Sequence, residues 1–139
     1  MQDLRPSFKA VYPEGCIGPG EGTFRGQCAV FAETVIKMQT PGGVIGYGLQ
    51  DKINMVNNHG TPLVQMGGNF LIGDVVIQNL GPYGHVSVVN FFPGGGYLQL
   101  SESNFHEDMR VHHTRTLAAN DPCIIGVLRG TLNVPFVNP

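Results

Sequence analysis

The stretch GHVSVVNFFPGGGYLQLSESNF, residues 84–105, carries the information that decides the fold. Two runs rich in Val, Phe, Tyr and Leu flank a Pro-Gly-Gly-Gly segment, the composition of two antiparallel strands joined by a turn. Taken as a four-residue loop, residues 93–96 put Phe92 opposite Tyr97. Pairing outward then sets Ser87 opposite Glu102 and His85 opposite Asn104. Directly opposed residues point to the same side of a sheet, so His85, Glu102 and Asn104 are expected on one face. A three-residue loop or a bulge would reverse the parity and send Glu102 behind the sheet.

Further strands flank this hairpin at residues 74–79, 109–117 and 123–130, each rich in β-branched or aromatic residues and bounded by Gly, Pro or Asn. Ahead of Gly60 the periodicity is helical instead. Cys28, Phe31, Ala32, Val35 and Met38 follow one helical face, and Thr-Pro-Gly-Gly at residues 40–43 is expected to end that helix. A second helix is predicted over residues 49–57, with Leu49, Ile53 and Val56 on one face and Gly60 past its end. Residues 12–26 read as a loop of Pro, Gly and Thr, and residues 133–139 as a surface extension or linker. The order predicts an α+β domain, residues 1–139, with helices packed on one side of an antiparallel sheet.

With 42% hydrophobic residues, 13% charged residues and a net charge of −2, the 139 residues suit one folded domain with a core of its own. There is no basic excess to hold a phosphate backbone, which argues against nucleic acid as a partner. No apolar run reaches the roughly 20 residues of a membrane span, and the first fifteen residues lack the apolar core of a signal peptide. The three cysteines, Cys16, Cys28 and Cys123, show no CxxC spacing for zinc and leave at least one thiol to explain. Cys123 reads as a small core residue, and Cys16 gives no clear signal.

Cys28 stands in FRGQCAVFAE, residues 24–33, at the start of the first predicted helix. A thiol there loses its proton more readily, because unpaired backbone N–H groups and the helix dipole favour the thiolate. If the helix start packs on the face that carries His85, Cys28 meets an imidazole that has Glu102 and Asn104 to fix its tautomer. Taken singly, each residue is as easily structural: a packing cysteine, a core histidine, a solvated glutamate, an asparagine beginning a turn. Together they supply the residue types of one nucleophilic mechanism. Gln27 either assists an oxyanion or shapes the turn, and Arg25 lies close enough in sequence to influence a substrate. Gly-Pro-Gly-Glu-Gly at residues 18–22 lacks the Lys-Ser/Thr of a phosphate loop. His112 and His113, adjacent on a strand, point to opposite faces and do not share a metal; with His59 and His106 they are expected in solvated or capping roles. Arg110, Arg115 and Arg129 read as surface or structural residues.

These residues resemble the CHAP domains, cysteine- and histidine-dependent amidohydrolases and peptidases of papain-like fold. The likeness lies in Gly-Gln-Cys at residues 26–28, in GDVVI and GHVSVVNF at residues 73–77 and 84–91, and in Glu-Ser-Asn at residues 102–104. It extends from about residue 16 to about residue 130. The resemblance implies Cys28 as nucleophile, His85 as general base and acid, Glu102 as the residue orienting the imidazole and Asn104 as further polar support. It implies a peptidoglycan peptide as substrate and no cofactor, in a phage lysin or a virion-associated wall hydrolase. Such a chain acts on the bacterial cell wall, released by lysis, carried on a virion or exported within a larger parent protein. The tryptophan common after the family's cysteine is absent, with Phe31 nearby instead, and only Glu21 precedes the cysteine where some phage members bind calcium, so no metal is predicted. The rival readings are an inactive structural or binding module of a phage tail, and a papain-like protease or acyltransferase acting on proteins.

Overall fold

The computed structural model describes residues 3–36 and 45–129. The expected helix stop at residues 40–43, Met38 and the segment 133–139 lie outside the described residues. Among the described residues four helices, α1 (Arg5–Val11), α2 (Cys28–Ile36), α3 (Leu49–His59) and α4 (Leu63–Met66), accompany six strands: β1 (Thr61–Pro62), β2 (Val75–Gln78), β3 (His85–Gly94), β4 (Tyr97–Ser103), β5 (Val111–Ala118) and β6 (Ile124–Leu128). The strands form one sheet in the order β1-β6-β2-β3-β4-β5, and every neighbouring pair is antiparallel. The α+β class expected from the sequence is the architecture observed.

The central hairpin closes differently from the expectation. Gly94 pairs with Tyr97, which leaves Gly95 and Gly96 as a two-residue turn with φ of 66° and 78°. Two successive left-handed residues give the turn whose twist matches that of the flanking strands, and glycine adopts them without a Cβ penalty. Pro93 and Gly94, expected in the loop, are therefore strand residues. Two irregularities follow, one between Phe91 and Gly94 and one between Val89 and Phe91, and each slips the pairing by one position. Beyond them Val88 pairs with Ser101, as a four-residue loop would have given. The shorter turn and the two bulges cancel, so Ser87 meets Glu102 as counted, but β4 ends at Ser103 and the expected pairing of His85 with Asn104 does not form.

The sheet is covered on both faces, not one. On one side Val75, Ile77, Val86, Val88 and Val111 pack under Phe8 of α1, Phe31, Ala32, Val35 and Ile36 of α2, and Val56 of α3. On the other, Val76, Val89, Leu98, Leu100 and Val127 pack against Met66 of α4 and against Phe70. This second layer was not expected, because α4 is a single turn with no periodicity to read. The helix predicted over residues 49–57 is α3; the N–H of Gly60 caps it on the Val56 carbonyl. Val56 is buried as expected, but Lys52 takes a buried position as well. No helix among the described residues is long and apolar enough to cross a membrane.

Candidate active site

The approach to Cys28 is built from tight backbone contacts. A 3-10 turn over Gly22–Phe24 leads to Gly26, whose N–H donates to Pro19 O at 2.8 Å and whose carbonyl accepts the Ser103 hydroxyl at 2.6 Å. Gly26 has φ of 76°, and a Cβ there would lie 2.5 Å from Met109 O. Only glycine fits, and the fit ties the residues before α2 to the end of β4 and to the segment after it. Gln27 O then accepts from Phe31 N at 3.0 Å, so α2 starts at Cys28 with the Cys28 amide outside the helical ladder.

His85, the first residue of β3, is buried, and its Nε2–H donates to Glu102 Oε1 at 2.9 Å. That bond leaves Nδ1 as the ring nitrogen free to serve the thiol. Glu102 is wholly buried and holds three donors besides His85. Ser87 Oγ donates to Oε1 at 2.6 Å, and Arg115 donates through Nη2 to Oε1 at 2.7 Å and through Nε to Oε2 at 2.8 Å. Arg115 Nη2 also reaches Gln78 Oε1 at 2.6 Å, while Gln78 Nε2 donates to Ser87 Oγ at 2.8 Å. The two-pronged arginine fork compensates a carboxylate that could not otherwise stay charged out of water. Phe105 closes the assembly, with its ring 3.9 Å from the Arg115 guanidinium carbon and edge-on to His85 at 5.4 Å.

The structure brings Cys28, His85 and Glu102 together, but by a route other than the expected one. Helix α2 covers the Val86 and Val88 side of β3. His85 and Ser87 alternate with those valines and point the other way. The thiol meets the imidazole because His85 opens its strand at the rim of the sheet, beside the first residue of α2. Burial pushes the Cys28 thiol up, yet the hydrogen bond and charge of His85, the Val86 backbone N–H and the Lys52 ammonium outweigh it and hold the thiol below its ordinary range. Burial pushes His85 down, but the hydrogen bonds and charges of Cys28 and Glu102 carry it above the usual imidazole value. For Glu102 the burial penalty is overcome by Arg115 and then His85, leaving its carboxyl at about 2. Both shifts move the pair toward a thiolate facing an imidazolium, with the Glu102 carboxylate behind the ring.

Cys28 and His85 open into a cavity of about 630 Å³ walled by Gln27, Glu33, Tyr47, Lys52, Tyr83 and Asn104, among others. Phe24, Tyr47, Tyr83 and Met109 are exposed on its rim, which makes the mouth apolar. Asn104 lies past the end of β4 with φ of 65°. Its Nδ2 donates to Gln27 Oε1 at 3.3 Å and its Oδ1 accepts from Met109 N at 2.9 Å. It supports Gln27 and the adjoining loop, not the imidazole. Arg25, expected to influence a substrate, is exposed and lies outside the cavity wall.

Arg115, expected at the surface or in a structural role, takes the structural one, and its bidentate grip on Glu102 is the partner the sequence did not reveal. Counting β5 against β4 would have revealed it, but the connection contains the left-handed residues Asn104, Glu107 and Met109, and a bulge interrupts the ladder between Leu100 and Glu102. His113, expected in a solvated or capping role, is not solvated and bonds the residue that ends α1. It is buried, its Nε2–H donating to Tyr12 O at 2.6 Å and its Nδ1 accepting from Ser101 Oγ at 2.7 Å. His112 bridges Glu14 Oε2 at 2.6 Å and Asp108 Oδ2 at 3.0 Å, and after the cost of its burial these carboxylates leave it above the ordinary imidazole value. His59, in the last turn of α3, is exposed as expected. Cys123 packs against the second core, and burial with the neighbouring Asp121 carboxylate pushes its thiol up to about 11.

No family model matches the chain, and no curated protein sequence matches it. Among solved structures, the crystal structure of Ly7917 is similar, with a TM-score of 0.55 and 14% sequence identity over 89% of this chain. The chain spans about 60% of the length of that structure. At this identity the likeness is one of fold alone.

Proposed function

We propose that the chain is a papain-like cysteine amidase or endopeptidase of the CHAP type, which hydrolyses amide bonds of bacterial peptidoglycan. The observation that carries the proposal is the relay from Cys28 through His85 to a buried Glu102, opening into a cavity with the thiol pulled down and the imidazole pushed up. The Cys28 thiolate attacks the amide carbon, and the developing oxyanion is met by the Cys28 backbone N–H and the Gln27 carboxamide, which Asn104 orients. The His85 imidazolium passes its proton to the departing amine as the C–N bond breaks, leaving a thioester. Neutral His85 then takes a proton from water, whose oxygen attacks the thioester and returns the thiolate. Glu102 keeps the ring oriented and stabilises its positive charge throughout, without itself taking the proton.

Peptidoglycan as the substrate rests on the resemblance of the motifs, and a lysin or a virion-borne wall hydrolase is the setting they suggest. Purified walls of several chemotypes, incubated with wild type and with Cys28→Ala, test the proposal through the release of new amino termini. Wild type is expected to release them and Cys28→Ala to release none above background. Absence of release by wild type from every wall would overturn peptidoglycan hydrolysis. Cleavage of folded proteins in the same screen would move the substrate to protein.

A further inference from the structure

Lys52, in the middle of α3, is 2% exposed, an unusual position for an ammonium. Its Nζ donates to Gly46 O at 3.0 Å and Tyr47 O at 2.6 Å. No Asp or Glu among the described residues forms a salt bridge with it. The neighbouring Asp51 carboxylate turns instead to Gly48 N. The lysine stem lies against Gly84, where a Cβ would come 3.1 Å from Lys52 Cδ, so the chain passes directly behind the residue that precedes His85. Lys52, Cys28 and His85 share one cavity wall. A buried cation satisfied by carbonyl dipoles keeps its field, and in a poorly polarisable interior that field reaches its neighbours with little screening. Its ammonium is committed to the Gly46 and Tyr47 carbonyls, which leaves it a supporting charge and not a proton donor.

We propose that Lys52 is a positioning residue of this site: a fixed cation that supports negative charge on Cys28 and, through the Gly46 and Tyr47 carbonyls, holds one wall of the cavity. The proposal rests on Cys28 being the nucleophile. The other titratable groups around the cavity are Glu33 from α2, which accepts from Ile45 N, Tyr47 and Tyr83 on the rim, His85 from β3 and Glu107 from the loop after β4, while Asp51 of α3 turns to Gly48 N outside the wall. Of these only His85 adds positive charge. Lys52 takes no proton from the substrate and gives none.

The pH dependence of Cys28 alkylation by iodoacetamide, read on the Cys28 peptide by mass spectrometry, tests this without any substrate. Lys52→Gln keeps two N–H donors for the carbonyls but removes the charge; Lys52→Arg keeps the charge. In Lys52→Gln the midpoint is expected to move up by about one pH unit, with alkylation slowed about tenfold at pH values below the wild-type midpoint. Lys52→Arg is expected to stay near wild type. A folded Lys52→Gln with the wild-type profile overturns the proposal; should that variant not fold, Lys52→Met packs the same stem and gives the same reading. A shifted midpoint supports Lys52 even if no wall is cut, and wall cleavage with an unmoved midpoint overturns Lys52 alone.

Discussion

Glu102 shows how much a single buried charge demands of its surroundings. Four hydrogen bonds from three side chains converge on its two oxygens, and the Arg115 fork supplies two of them. Removing one partner of such a pair leaves an uncompensated ion in the interior, so Arg115→Met is expected to lower the unfolding free energy by about 3–5 kcal/mol in urea titrations at neutral pH. Arg115→Lys is not expected to restore it, because an ammonium cannot form the planar two-pronged contact. The same carboxyl sets an acid limb. It titrates at about 2 in the folded chain against 4.5 for the free group, so the folded state binds fewer protons between those values. Its contribution to stability is complete above about pH 4.5 and is lost as pH falls toward 2. Glu102→Gln should flatten that limb in thermal melts run across the acid range. An unchanged slope would mean the carboxyl is not the group being titrated.

The start of α2 places the nucleophile, and that placement depends on backbone contacts, not on helix propensity. Gly26 satisfies two demands at once, a left-handed φ and a close approach to Met109 O. Gly15 has a similar φ of 82° but open space around it, which makes it an internal control. Gly15→Ala carries backbone strain only and is expected to cost about 1 kcal/mol. Gly26→Ala must also push Met109 away, with a larger loss in the unfolding midpoint and slower alkylation of Cys28. Equal effects of the two substitutions would show that φ alone matters at Gly26. The β3–β4 hairpin makes a related point. Its register near His85 was legible from the spacing of Ser87 and Glu102, although the turn itself was not, because two bulges make up for the two residues by which the turn is shorter.

Across the whole molecule, β6 is the strand on which closure depends. It lies between β1 and β2, and its Val127 and Leu128 enter the two cores on opposite faces. A chain ending at Asp121 would leave β2 with an open edge and both cores short of a wall. Circular dichroism with urea titration is expected to show no cooperative transition for it. A cooperative transition at the wild-type midpoint would mean the sheet closes without β6.

The class of the fold, the hairpin that carries His85 and Glu102, and the helix that begins at Cys28 were legible along the chain. These follow from local periodicity and turn composition, which act over a few residues and leave a readable pattern. Three-dimensional packing alone sets how Cys28 reaches His85, that Arg115 neutralises Glu102, that Asn104 serves Gln27, and that Lys52 is buried in the wall of the same cavity as the thiol. The first three join segments separated by loops with left-handed residues or bulges, where register cannot be counted. A buried charge also chooses its partner by distance in space, and spacing along the chain carries no record of that choice.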